Sequence, residues 1–151
     1  MTTLNSQTMI HFTRGVPPLE SIPTHDLVVH TTALLHEECD LVFQYAPLGR
    51  YQGDPALREQ LGALHEVDPD RLFVGNGSLQ VLDLLAGHLL QDDNPWVYVE
   101  APTYDRAVQI FERHGAQLVG LPMEPDGLDI EVLRDKLRVR VPAFVYTIPD
   151  F

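Results

Sequence analysis

The chain has 151 residues, of which 44% are hydrophobic and 21% are charged, and its formal net charge is -12. A domain of this size buries roughly 70% of the surface that its unfolded form exposes. The acidic balance argues against a nucleic-acid partner, which would require clustered lysine and arginine. A membrane protein is excluded as well, since no apolar run approaches roughly 18–20 residues.

The N-terminal part of the chain is predicted to be an arm followed by one helix. Residues 1–23 are irregular and proline-rich, which is typical of an extended arm. A helix is expected over residues 24–39, with Thr24 as its cap and its leucines on one face. A loop follows, and the sequence therefore predicts an N-terminal segment of residues 1–45 and an α/β domain from residue 46 onward.

Beyond the loop, strands and helices alternate. Asp54 is expected to cap a helix that Pro55 opens, with Leu57, Leu61 and Leu64 on one side. Further helices are expected from about Ser78, over residues 102–115 and over residues 129–138. In the second of these, Ala107, Val108 and Phe111 are expected to face inward and Gly115 to end the helix. Short apolar strands are predicted between them, at residues 72–74, 96–100, 117–121 and 143–147. This order predicts a mostly parallel sheet with right-handed crossovers, in a three-layer αβα fold.

The stretch GNGS at residues 75–78 lies where a strand is expected to meet a helix. Gly77 allows a close approach of the backbone, and Ser78 adds a hydroxyl donor. The helix N-terminus favours a nearby negative charge by about 0.3–1 kcal/mol. The stretch therefore predicts a phosphate site, although a tight turn that binds nothing would use the same residues.

A nucleotide is one candidate ligand for this predicted phosphate site. Gly75 and Gly77 match the first two glycines of a dinucleotide-binding fingerprint, and Glu100 ends the next strand about 20 residues further on, as a ribose-binding carboxylate would. Gln80 stands where the third glycine belongs. A nucleotide- or S-adenosylmethionine-binding Rossmann-type enzyme that uses Gly75, Gly77 and Glu100 is therefore kept as an alternative.

The residues after Glu100 favour another cofactor. In VYVEAPTY, Tyr104 lies at the first turn of the next helix, beside the predicted phosphate site. A tyrosine there can lay its ring on a flat, electron-poor heterocycle whose phosphate occupies the neighbouring helix terminus. For Tyr104 taken alone, a core position is the favoured interpretation. Combined with the glycine turn, it is typical of a pyridoxal-phosphate site.

The ordered stretches GDPALREQL, FVGNGSLQVLDLLAGHLL, VYVEAPTYDRA and AFVYTIPDF together resemble the fold-type-I aminotransferases of class I/II, in the branch that includes 2-aminoadipate-type enzymes. The resemblance runs from about Phe12 to Phe151. It implies a pyridoxal-5'-phosphate-dependent enzyme of amino-acid metabolism that transfers an amino group between an amino acid and a 2-oxo acid. A cytoplasmic homodimer is also implied, and the single cysteine, which cannot form an internal disulfide, agrees with a reducing compartment.

The resemblance also implies individual roles at the cofactor. Gly77, Ser78 and Leu79 correspond to the segment that binds the cofactor phosphate, and Tyr104 corresponds to the residue that stacks on its ring. Many relatives have glutamine at the position of Leu79, so only a backbone contact is expected there.

Two further residues match positions on the substrate side. Gly15 corresponds to a glycine near the substrate carboxylate, and Tyr45 to a residue that reaches the active site of the partner subunit. The family's cofactor-binding lysine lies beyond Phe151, and Lys136 is expected to be a solvated surface residue. The sequence is thus expected to be the N-terminal portion of an aminotransferase, inactive alone, with no catalytic residue and no metal site. A non-catalytic remnant is the third alternative.

Overall fold

The structure, a computed structural model, describes residues 17–45, 51–91 and 93–149. The chain divides into two compact units, Met1–Tyr51 and Gln52–Phe151. No helix in these described ranges is long and apolar enough to cross a membrane. The division at residue 45 stays a prediction.

The first unit contains a 3₁₀ turn and two helices, α1 (Thr24–Glu37) and α2 (Cys39–Val42). The single helix expected over residues 24–39 is wrong in two details. Pro23, and not Thr24, is the N-cap, and the helix breaks at Glu38, whose N–H donates to the Leu34 carbonyl oxygen. The side chains that the structure describes in this unit are exposed, including those of the predicted leucine face.

The second unit begins with α3 (Pro55–His65), whose start is as predicted. The Asp54 side chain accepts a hydrogen bond of 2.8 Å from the Leu57 N–H. The leucines on one side of this helix do not form its buried face, however: Arg58 and Gly62 are its buried residues, and Leu64 is exposed.

Hydrogen bonds and one ion pair explain the burial of Arg58. The Arg58 guanidinium donates to the carbonyl oxygen of Pro69 at 3.1 Å and to the side-chain oxygen of Gln52 at 2.8 Å. It also pairs with Asp70 at 3.1 Å. These bonds attach α3 to the 3₁₀ turn Pro69–Arg71, so the helix turns a satisfied arginine, rather than leucines, toward the segment that follows it.

The strand predicted at residues 72–74 does not form. The Val74 N–H donates to the Gln52 carbonyl oxygen at 2.7 Å, and the Leu72 N–H donates to the Pro69 carbonyl oxygen at 3.2 Å. These backbone donors therefore have partners outside the sheet, and the segment leads as irregular chain into α4 (Ser78–Leu89).

The sheet has four strands in the order β3-β2-β1-β4. Strand β1 (Trp96–Ala101) lies parallel to both β2 (Gln117–Glu124) and β4 (Phe144–Tyr146). Strand β3 (Gly127–Leu128), which the sequence did not predict, is antiparallel to β2. Helix α5 (Asp105–Arg113) connects β1 to β2, and α6 (Ile130–Val139) connects β3 to β4.

Helices cover the two faces of β1. Val97 and Val99 form one buried cluster with Ala107 and Phe111 of α5 and with residues of α4. On the opposite face, the Tyr98 hydroxyl donates to the Arg140 carbonyl oxygen, 2.6 Å away, at the end of α6. The predicted three-layer αβα arrangement with a mostly parallel sheet is confirmed, and α5 buries the side that its sequence pattern predicts.

Candidate functional site at the carboxyl end of the sheet

A cavity of about 750 Å³ opens where β1 and β4 end. Its lining consists of Ser78, Glu100, residues 102–104 and residues 146–149. In parallel α/β sheets this end is the usual place for a ligand, because loops and helix N-termini converge there. The predicted phosphate site and the predicted stacking tyrosine therefore meet in one cavity.

The cavity lies where the sheet splits. Pairing between β1 and β2 continues as far as Ala101 and Pro122. Pairing between β1 and β4 stops earlier, at Val99 and Tyr146. The segments that follow this last pair supply most of the lining. The open space therefore begins where the pairing between β1 and β4 ends.

The N-terminus of α4 presents backbone donors beside this space. Gly77 is its N-cap, with φ of 87° and ψ of 160°, and makes no side-chain capping bond. This conformation is open almost exclusively to glycine. The first N–H groups of a helix have no partner within the helix, and no side chain caps this one, so the Ser78 and Leu79 amides are available to an anion.

Gln80 and Gly75 have structural roles: one stabilises the glycine turn, and the other lets the turn pack against α4. The side-chain oxygen of Gln80, in place of the third fingerprint glycine, accepts from the Asn76 N–H at 2.6 Å. A Cβ on Gly75 would lie 2.8 Å from a methyl carbon of Val81, so this glycine permits close packing against α4. The side chain of Leu79 lines a separate groove between α4 and α5, which leaves only its backbone for the predicted site.

Tyr104 and Thr103 also line the cavity. Tyr104 is the N-cap of α5 and lines the cavity, with its side chain partly exposed. The Thr103 hydroxyl is buried and has no hydrogen-bond partner among the described residues. Most buried side-chain polar atoms have a hydrogen-bond partner, so this hydroxyl is an exception among the described residues.

Glu100 and Tyr146 add polar groups to the lining of the cavity. Glu100 is buried and accepts from the Ile148 N–H through both carboxylate oxygens, at 3.2 Å each. Burial raises the pKa of Tyr146, and the nearby Tyr104 and Glu100 raise it further. The Tyr146 hydroxyl therefore keeps its proton at neutral pH and stays a donor.

The structure brings only part of the predicted site together. Ser78 and Tyr104 line the cavity, and Gly77 immediately precedes Ser78. Tyr45 belongs to the first unit and is 99% exposed, while Gly15 lies outside the described residues. Lys136 is exposed on α6 and does not line the cavity, as expected of a surface lysine.

Sequence reasoning placed ligands beyond the carboxyl ends of the strands, residues 148–151 among them, but it missed two residues of the site. Tyr146 was expected as a strand residue only, and Thr103 was not singled out. The available signal was the parallel pairing itself, because the carboxyl ends of adjacent parallel strands lie at the same edge. Within the described ranges, no group of three histidine, cysteine, aspartate or glutamate side chains is arranged to hold a metal ion.

Known proteins share this arrangement of elements. The chain is 30% identical over 143 residues to the 2-aminoadipate transaminase of Thermus thermophilus, a match that covers 95% of the chain and 35% of the relative. The crystal structure of LysN, alpha-aminoadipate aminotransferase, from the same species superposes with a TM-score of 0.82 at 30% identity, over 90% of this chain and 34% of that one. That structure was solved as a complex with N-(5'-phosphopyridoxyl)-L-leucine.

A regulator is also similar. The uncharacterized HTH-type transcriptional regulator YisV of Bacillus subtilis is 30% identical over 106 residues, which are 70% of this chain and 22% of the regulator. The sequence thus spans about a third or less of the length of these relatives. The family model described as aspartate amino-transferase matches residues 4–149. By that match and by the resemblance in fold, the chain belongs to the aspartate aminotransferase family and corresponds to its N-terminal portion.

Proposed function

We propose that the cavity at the split of the sheet binds pyridoxal 5'-phosphate and that the protein takes part in transferring an amino group between an amino acid and a 2-oxo acid. The observation that carries the proposal is the combination of two features in one cavity. An uncapped helix N-terminus opens at Gly77 and Ser78, and Tyr104 lines the same cavity as Ser78.

The residues present fit this cofactor. Gly77 has a positive φ and, as a glycine, places no Cβ beside the α4 N-terminus. The available amides there suit a phosphate. The buried Thr103 hydroxyl lacks a partner within the described structure, and a cofactor oxygen would supply one. The volume is also ample, since small-ligand pockets typically measure about 300–1,000 Å³.

Each residue has a separable role in the proposal. The Ser78 and Leu79 amides and the Ser78 hydroxyl hold the phosphate, and Gly77 sets their direction. Tyr104 supports the face of the ring and limits its tilt. When bound, pyridoxal phosphate supplies the electron sink that amino-group transfer requires, while these residues bind and orient it.

Substrate, assembly and location complete the proposal. An amino acid and a 2-oxo acid are the substrates, with Gly15 at the substrate carboxylate and Tyr45 contributing to the site of a second copy in a homodimer. The full exposure of Tyr45 and the exposed Phe43 beside it support an interface there. The exposed thiol of Cys39 supports a cytoplasmic location.

The nucleotide alternative has less support. A dinucleotide fingerprint requires a strand before its glycines, whereas residues 72–74 form none. The Glu100 carboxylate, which would bind a ribose, already accepts the Ile148 N–H. Ligand-binding experiments on this cavity do not test a regulatory role like that named for YisV. DNA-binding assays would test it.

The test is equilibrium binding of pyridoxal 5'-phosphate to the protein expressed from its complete reading frame, followed by fluorescence or calorimetry. Pyridoxal, which lacks the phosphate, should bind at least about tenfold more weakly, a difference of about 1.4 kcal/mol. Tyr104→Ala should weaken binding by a similar factor through lost ring contact. The matched variant Tyr104→Phe keeps the ring and should bind like the unmodified protein.

Two results would contradict the proposal. The first is equal affinity for pyridoxal and its phosphate, since no phosphate site would then exist. The second is tight binding of a dinucleotide or of S-adenosylmethionine that Glu100→Ala abolishes.

A further inference from the structure

Glu100 is a buried carboxylate whose position in the fold is unusual. Only 6% of the residue is exposed, and it forms no ion pair with a lysine, arginine or histidine in the ranges that the structure describes. Its hydrogen-bond donor there is the Ile148 N–H, 48 residues away in the sequence, which both oxygens accept at 3.2 Å. Buried charges normally require such compensation, because removing a carboxylate from water is costly.

The bond lies at the split in the sheet. Val99 and Tyr146 form the last paired residues of β1 and β4, and Ile148 follows two positions after Tyr146. Its N–H points to the side chain of Glu100 rather than to a backbone carbonyl of β1. A side chain thus replaces the ladder bond beyond the end of the pairing.

The length of the glutamate side chain matters at this point. A backbone hydrogen bond would hold the two segments at the spacing of ordinary paired strands, about 4.7–4.9 Å. A glutamate side chain can bridge a wider gap than this, and residues on both sides of the bond line the cavity. Glu100 follows the last β1 residue paired with β4 by one position and precedes the segment with Thr103 and Tyr104, while Ile148 lies in the segment after β4, and all four residues line the cavity.

We infer that Glu100 is a positioning residue that fixes the width of the cavity by tying the wall after β4 to the end of β1. It acts through Ile148 and the neighbouring residues 147–149. The consequence for pyridoxal-phosphate affinity rests on the proposed function. The tie itself is a property of the protein without any ligand.

A series of substitutions separates the tie from other roles of a buried carboxylate. Glu100→Gln keeps the chain length and one acceptor oxygen, so it preserves the bond to Ile148. Glu100→Asp keeps the charge but is shorter by one methylene, and Glu100→Ala removes the acceptor. Glu112→Ala, at an exposed position on α5, is the matched control.

The first measurement is amide hydrogen exchange of Ile148 in the protein expressed from its complete reading frame, without cofactor. Exchange at Ile148 should accelerate by about tenfold or more in the alanine and aspartate variants, as expected for losing a bond to a charged acceptor. It should stay within about threefold in the glutamine and control variants, where the bond remains. The amides of Val97 and Val99 should keep their protection throughout.

Two exchange results would overturn the inference. One is unchanged protection of Ile148 in Glu100→Ala. The other is equal loss at Val97, Val99 and Ile148, because Glu100 would then support the whole strand rather than the cavity wall.

The second measurement is pyridoxal-phosphate affinity in the same variants. The alanine and aspartate variants should bind about tenfold more weakly, and glutamine should restore the affinity to within about threefold. Weak binding by glutamine equal to that by alanine would overturn the inference, because the charge and not the tie would then matter. If the unmodified protein binds no pyridoxal phosphate, the proposed function fails, whereas the exchange pattern at Ile148 still decides the role of Glu100.

Discussion

Replacing Gly77 by alanine perturbs the cavity at a single backbone position. Gly77 has φ of 87° and ψ of 160°, and a Cβ built on it meets no atom within 4 Å. The substitution therefore introduces no steric clash, and its whole effect comes from holding an L-residue in a conformation that glycine alone adopts readily. Either the variant keeps this strain or the α4 N-terminus rearranges.

The magnitude follows from the conformation. Holding a residue other than glycine in this region costs about 1–3 kcal/mol. Alanine also restricts the unfolded chain, which offsets about 0.4–1 kcal/mol. A net loss of about 1–2 kcal/mol is expected, which for a chain of this length lowers the melting temperature by about 2–8 °C.

Gly115 provides the control for this experiment. It also has a positive φ, of 82°, with open space where a Cβ would point, but it lies after α5 and outside the cavity lining. Gly77→Ala and Gly115→Ala should lose similar stability in urea unfolding, whereas only Gly77→Ala should also weaken pyridoxal-phosphate binding. Unfolding and binding both unchanged in Gly77→Ala would refute the reasoning, because the observed backbone conformation would then have no energetic consequence.

Two further predictions concern packing and pH. Phe111 is fully buried and makes two edge-on aromatic contacts with ring centroids 5.2 Å apart, so Phe111→Ala should cost about 3–5 kcal/mol in urea unfolding; a loss below about 1 kcal/mol would contradict this burial. Asp83 joins α4 to the end of α5, and its hydrogen bonds with His114 and then Arg113 lower its pKa from 3.8. The stabilisation is therefore present above pH 3.8 and is lost as the pH falls through the lower folded pKa. The difference in unfolding free energy between the unmodified protein and Asp83→Asn should shrink over that acidic interval, and a difference that grows there would show the opposite sign of linkage.

Local signals predicted much of the second unit correctly. The Asp54 cap, the glycine after α5 and the start of α4 at Ser78 each depend on residues within one helical turn. The apolar spacing of α5 likewise identified Ala107 and Phe111 as buried. Such features are legible because the interacting groups are close in the sequence.

Features that depend on distant residues were not predictable in the same way. The burial of Arg58 was not predicted, because arginine is buried only when its donors are satisfied, and here its partners lie 6 to 12 positions away. Residues 72–74 have a strand-like composition, but their backbone groups bond to Gln52 and Pro69 instead. The Glu100–Ile148 bond depends on the relative ends of β1 and β4, which composition does not reveal.

The central claim is that pyridoxal phosphate occupies the split in the sheet, and the direct measurement is a crystal structure of the protein grown with this cofactor. The account predicts the phosphate within hydrogen-bond distance, about 2.7–3.2 Å, of the Ser78 and Leu79 amides, with the ring against Tyr104. The Thr103 hydroxyl should acquire a partner in the same structure. An empty cavity at saturating cofactor, or a phosphate bound away from the α4 N-terminus, would contradict the account.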